Sequence, residues 1–176
     1  TITDQVSTTA DVTTKALTAT ASAANKVYDG TTTATTTLTF TGLVGSETLN
    51  QSVGSTFDNK NVGTGKSVTV NSITLTDGTG LAANYSISPG QTTTADVTAK
   101  ALTVSGITAS DKTYDGNDVA TIDATFVSYS GLLSGDVFNG TYTGAFSDKN
   151  VGTGKTVTFS SSYTGVDVGN YSVTDQ

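Results

Sequence analysis

The sequence repeats itself, and that most constrains what it can fold into. DVTTKALT at 11–18 returns as DVTAKALT at 96–103. KVYDG at 26–30 returns as KTYDG at 112–116, KNVGTGK at 60–66 returns intact at 149–155, and NYS at 84–86 returns at 170–172. Tyr28 and Tyr114 stand 86 residues apart, and that is the period of the repeat. Self-similarity at a fixed period signals tandem architecture. A unit of this length is too long for a solenoid repeat and suits an autonomous domain. The expected organisation is a tail of a preceding repeat at 1–10, a first repeat domain at 11–95 and a second at 96–176. The first residue is not Met and no signal peptide is visible, which fits a fragment of a longer array.

Period two dominates within each repeat. Ala34, Thr36, Leu38 and Phe40 alternate with Thr, as do Ala120, Ile122, Ala124 and Phe126 with polar residues. Leu17 pairs in phase with Ala19, and Leu102 with Val104. Alternation of this kind predicts half-buried strands. In SVTVNSITL the apolar phase moves from Val68 and Val70 to Ile73 and Leu75, which predicts a bulge or tight turn. No segment carries a 3.6 period. About seven short strands per unit predict two tandem immunoglobulin-like β-sandwich domains joined by a short linker, with a β-grasp or small β-barrel as the alternative. The exposed series Thr35, Thr37, Thr39 and Thr41 becomes Thr121, Asp123, Thr125 and Val127 in the second repeat, so β-propensity explains it better than a binding ladder.

Composition removes whole classes of function. The chain has no Cys, His, Met or Trp, and all 8 basic residues are Lys. Disulfides and zinc–thiolate sites are impossible, and the commonest general base is missing. The net charge of −7 opposes nucleic-acid binding and docking on anionic membranes. No apolar run reaches transmembrane length. The expectation is a monomer that is not an enzyme, has no cofactor and does not insert into a membrane.

K-x-Y-D-G reads first as scaffolding. Asp29-Gly30 and Asp115-Gly116 are turn pairs, Tyr28 and Tyr114 would bury their rings, and Lys26 and Lys112 would cover those rings or pair with an acid. A sharper reading makes Asp29, Asp115 and Asp118 ligands for calcium, although the spacing is not that of an EF-hand. KNVGTGK lacks P-loop spacing and reads as a turn entering a strand. Each Lys has a partner in the other repeat, and Asn61 matches Asn150 as Asn84 matches Asn170. Lys15, Lys26, Lys100 and Lys112 are therefore candidates, with those four asparagines, for an intramolecular isopeptide cross-link, which requires a desolvated neutral Lys. Asp136 and Asp167 read as solvated loop acids.

Taken together, ADVTxKALT, KxYDG, KNVGTGK and NYS in this order resemble the YDG domain and the related mostly-β, glycine-rich (MBG) repeats. These occur in large bacterial surface proteins, including filamentous-haemagglutinin-like adhesins exported by two-partner secretion. The resemblance implies a secreted, cell-surface protein whose repeats act as a stalk or spacer presenting a distal adhesive region. Its partners would be neighbouring repeats of the same chain. The alternative is a binding module that contacts a glycan, matrix protein or biofilm polysaccharide. Its variable segments would be Thr41–Asp58 and Val127–Ser147, with Phe57 in the first and Tyr129, Phe138 and Tyr142 in the second.

Overall fold

The computed structural model describes residues 7–176. The expected tail at 1–10 therefore lies partly outside the described residues. Strands dominate, and the helical content is two single 3-10 turns, Ala82–Asn84 and Val168–Asn170. The first repeat supplies β1 (Lys15–Ala16), β2 (Thr18–Ala23), β3 (Lys26–Val27), β4 (Thr33–Ala34), β5 (Thr36–Thr41), β6 (Leu49–Phe57), β7 (Gly63–Asp77) and β8 (Tyr85–Ser86). β9 (Thr92–Thr98) spans the junction. The second repeat supplies β10 (Lys100–Ser105), β11 (Thr108–Ala109), β12 (Val119–Ala120), β13 (Ile122–Asp123), β14 (Ser128–Ser130), β15 (Asn139–Phe146), β16 (Val157–Thr164) and β17 (Tyr171–Thr174). The tandem all-β architecture expected from the alternation is observed. Only Ala99 separates β9 from β10, so the junction is almost entirely strand.

The chain divides into two compact units whose limits follow the sequence repeat at Ala95/Asp96 but depart from it at two segments of the first repeat. Unit one contains the described residues up to Ala24 together with Thr33–Asp58 and Ser67–Ala95. Unit two contains Asn25–Thr32, Asn59–Lys66 and Asp96–Gln176. The two segments that the first repeat gives to unit two are its KVYDG and KNVGTGK motifs.

In unit one, β2 pairs antiparallel with β5, from Thr18↔Thr41 to Ala23↔Thr36. β6 pairs antiparallel with β7 from Leu49↔Asp77 to Phe57↔Val68, and the register slips at Gly54/Ser55. Gly54 faces Ser72 and Ser55 faces Val70, so Asn71 is the extra residue. This is the bulge announced by the phase change, and it lets Val68 and Val70 face the core on one side of it and Ile73 and Leu75 on the other. Leu17, Leu38, Phe57, Val68, Val70 and Tyr85 form the buried core. The parallel pair β1–β8 sets Lys15 opposite Tyr85. That pairing explains why KAL and NYS recur together: each motif is the other's ladder partner.

Unit two repeats this closure, with β10 parallel to β17 and Lys100 opposite Tyr171. β15 and β16 pair antiparallel from Asn139↔Thr164 to Phe146↔Val157. Leu102, Val104, Ile107, Phe138 and Tyr171 fill the core. One expectation fails here. Phe126 was placed on the inward face with Ile122 and Ala124 but is 81% exposed. The reason is Asp123, which stands where the first repeat has Thr37. Its Oδ1 accepts the Thr125 N–H at 2.9 Å, and Val127 N–H bonds Ala124 O at 3.1 Å. This local turn competes with the ladder and ends the strand early.

Candidate functional site

In the first repeat the K-x-Y-D-G corner is built around its own lysine. Lys26 Nζ donates to Asp29 Oδ1 and to Thr31 O, both at 2.8 Å. Asp29 Oδ1 also accepts the Thr31 N–H at 2.9 Å, an Asx turn, and Gly30 takes the positive φ of 78° that the turn demands. The second copy builds the same corner. Lys112 Nζ reaches Asp115 Oδ1 at 2.8 Å and Asn117 O at 2.9 Å, with Gly116 at φ 88°. Hydrogen bonds from Lys26 and from Thr31 outweigh burial and hold Asp29 below its ordinary carboxylate range. Lys112 does the same, as the leading cause, for Asp115. In both copies the lysine, the Asp and the Gly close one turn. Each lysine pairs with its own motif's Asp instead of lying across the motif's Tyr ring.

The tyrosines diverge. Tyr28 is 1% exposed, whereas Tyr114 is 57% exposed. Tyr28 belongs to unit two, where its hydroxyl donates to Asp136 Oδ2 at 2.9 Å and its ring meets Tyr171 edge-on, 5.6 Å between centroids. Tyr171 donates to the same Asp136 oxygen at 2.6 Å and accepts the Leu133 N–H at 3.0 Å. Lys60, from KNVGTGK, completes the cluster with Asp136 Oδ1 at 3.1 Å and Asp167 Oδ1 at 2.8 Å. Its ammonium also stands 5.7 Å from the Tyr28 ring centroid. Beside it, Asn170 Oδ1 accepts the Val62 N–H at 3.0 Å and Asn170 Nδ2 donates to Asn61 Oδ1 at 3.2 Å.

Asp136 and Asp167 are therefore not solvated loop acids; their side chains are 6% and 7% exposed. Burial raises the Asp136 pKa, but hydrogen bonds from Tyr171, Lys60 and Tyr28 outweigh it and leave the carboxyl below its ordinary value. Asp167 is lowered chiefly by Lys60. The Lys60 ammonium is pushed well above its ordinary value, first by Asp167 and then by Tyr28 and Asp136. Two carboxylates, two phenols and one ammonium thus satisfy one another, and the arrangement serves cohesion. The sequence offered one signal that could have found it: Asp136 aligns with Glu47, and Glu47 likewise accepts the hydroxyl of Tyr85, the counterpart of Tyr171.

The other candidates fall in separate places. Asn61 and Asn170 meet each other, while Asn84 and Asn150 are exposed. Lys15 is exposed on β1, and Lys100 sits on β10 opposite Tyr171. Asparagine side chains hold Lys66, whose Nζ donates to Asn59 Oδ1 at 2.7 Å, and the candidate Lys112, whose Nζ donates to Asn117 Oδ1 at 2.9 Å. For the calcium reading, no group of three or more acids within reach of one metal ion exists among the described residues. Of the proposed glycan-stacking aromatics, Phe138 is buried, packed edge-on against Tyr129 and Tyr171. The Tyr129 and Tyr142 hydroxyls bond each other at 2.9 Å, and Phe57 is 3% exposed in the core of unit one.

The YDG domain model matches the chain twice, over residues 13–95 and 98–176. Neither curated proteins nor solved structures gave a match.

Proposed function

The chain belongs to the YDG domain family, and from that membership we propose that it is a structural spacer of an exported bacterial surface protein, a stretch of stalk that carries an adhesive region away from the cell. The observation that carries this reading is the cohesive network. Tyr28 and Lys60, supplied by the first repeat's motifs, are spent on holding Asp136, Asp167 and Tyr171 of the second. Residues used this way tie one repeat into the next. A filamentous-haemagglutinin-like setting, export by two-partner secretion and a place at the cell surface or in biofilm belong to the same proposal. The acidic charge suits it, because like-charged stalks repel one another and stay soluble.

Arrays of glycans and matrix proteins test the reading. A spacer gives no specific retention on them. Retention that disappears in Tyr129→Ala and Tyr142→Ala variants would replace the spacer with a binding module.

A further inference from the structure

The joint inside this chain has two halves, and each half exists a second time without its partner. In the occupied joint, the leading strand β9 of the second repeat lies beside β7 of the first, with β3 on its other side, Lys26 opposite Val97. Asp96 Oδ1 accepts the Gly65 N–H at 2.7 Å, and Tyr28 and Lys60 dock on Asp136, Tyr171 and Asp167.

The giving half recurs in the second repeat. β16 is the counterpart of β7, yet it ends its sheet, in the order β12-β15-β16. Val157 and Phe159 on it are only half-buried, whereas their counterparts Val68 and Val70 are 0% and 1% exposed. Lys112–Thr113, the counterpart of β3, forms no strand. Tyr114, Lys149 and Val151 line a groove of about 650 Å³, with Val151 90% exposed.

The receiving half recurs in the first repeat. Thr8–Thr13, TTADVT, matches Thr93–Thr98 of β9 residue for residue, yet it is exposed and forms no strand. Val12 is 101% exposed, whereas its counterpart Val97 is 1% exposed. Glu47 and Tyr85 stand where Asp136 and Tyr171 stand. Asn84 is exposed, whereas Asn170 is 3% exposed. Val44 is 52% exposed at the position of Leu133, on which Gly30 rests.

We propose that the chain joins head to tail with a second copy of itself. Thr8–Thr13 of one copy adds to the β16 edge of another, whose Tyr114 and Lys149 dock on Glu47, Tyr85 and Asn84 of the first. Main-chain hydrogen bonds of the added strand supply cohesion, and the alternate residues Ala10 and Val12 cover the apolar face of β16. Charge is complementary, since Lys149 meets Glu47. Leu81 replaces Asp167 in the receiving half, so this ammonium meets one carboxylate instead of two. The contact is heterologous, so each copy offers one half-joint to the next. It stands on the joint and not on the spacer role, which the arrays test separately.

Sedimentation velocity of the full chain tests it, up to about the millimolar concentrations that a short tether supplies within one chain. The sedimentation coefficient is expected to climb with concentration. Val12→Asp, at a side chain that touches nothing within one copy, is expected to hold the chain monomeric throughout. Glu47→Lys and Lys149→Glu should each be monomeric alone and associate when mixed in equal amounts, because every joint in the mixture then pairs opposite charges. A parent chain monomeric over the whole range, a V12D variant that associates like the parent, or reversed-charge variants that stay apart when mixed would overturn the proposal.

Discussion

The Tyr28 hydroxyl donates to Asp136 at 2.9 Å across 108 residues of sequence, while Tyr114, its repeat counterpart, stands 57% exposed with no hydrogen bond. One pentapeptide, written twice, is thus a buried anchor in one place and a surface feature in the other. Substitution should separate them. Tyr28→Phe removes one of the hydroxyls on a desolvated carboxylate and is expected to cost about 1–3 kcal/mol. Tyr114→Phe should fall within about 0.5 kcal/mol of the parent. Urea unfolding of both variants, followed by near-ultraviolet circular dichroism, checks the contrast.

Lys60 and Lys149 offer the same comparison with charge. Lys60→Met leaves Asp136 and Asp167 facing each other without a cation, so the unfolding midpoint of unit two is expected to drop. Lys149→Met should leave it unchanged. Equal midpoints for the two variants would show that the ion network does not hold the joint.

The pH dependence follows from the same groups. Asp136, Asp167, Asp29 and Asp115 have folded pKa values below their ordinary 3.8. Groups lowered on folding stabilise the native state above their unfolded pKa, and that contribution is lost as pH falls through the folded values. Lys60 is raised from 10.5, so its contribution is complete below that value and is lost only as pH rises through the higher folded one. A thermal midpoint that is flat between these limits and falls below about pH 4 is expected. It should fall less steeply in Tyr28→Phe, where Asp136 has lost one of the bonds that lower it.

Glycines at matching positions should also differ. Gly131 has φ 100°, and a Cβ there would run into the Ala101 carbonyl oxygen. Gly42, at φ 103°, would meet Ala16 O at 3.4 Å, an approach that a small backbone shift relieves. Gly131→Ala is expected to destabilise by about 1–3 kcal/mol and Gly42→Ala by less, as read from denaturant midpoints.

Much of this architecture was legible in the residues. Alternation located β5, and the phase change at Val70–Ile73 located the bulge, because a side-chain period of two makes register visible. The Asp-Gly turns were legible because their geometry is local. Phe126 was misplaced because one Asp offered the backbone a turn that periodicity does not register. Beyond the acid that Asp136 shares in position with Glu47, the network was illegible for a different reason. Each repeat carries both the Tyr and the acid, and nothing in the sequence says that the Tyr leaves its own repeat to find the acid of the next. Phe126→Ser checks the first point: a side chain in solvent should be replaceable within about 0.5 kcal/mol.

β9 carries one more consequence. The peptide bond between Ala95 and Asp96 lies in the middle of this strand, with Ala95 and Val97 both buried beside it. The line along which the gene text repeats therefore runs through the middle of a strand. A cut there would strip a stave from one sheet and leave the other half with a ragged, sticky margin. Chemical ligation or limited proteolysis at that bond would first have to open a hydrogen-bonded strand.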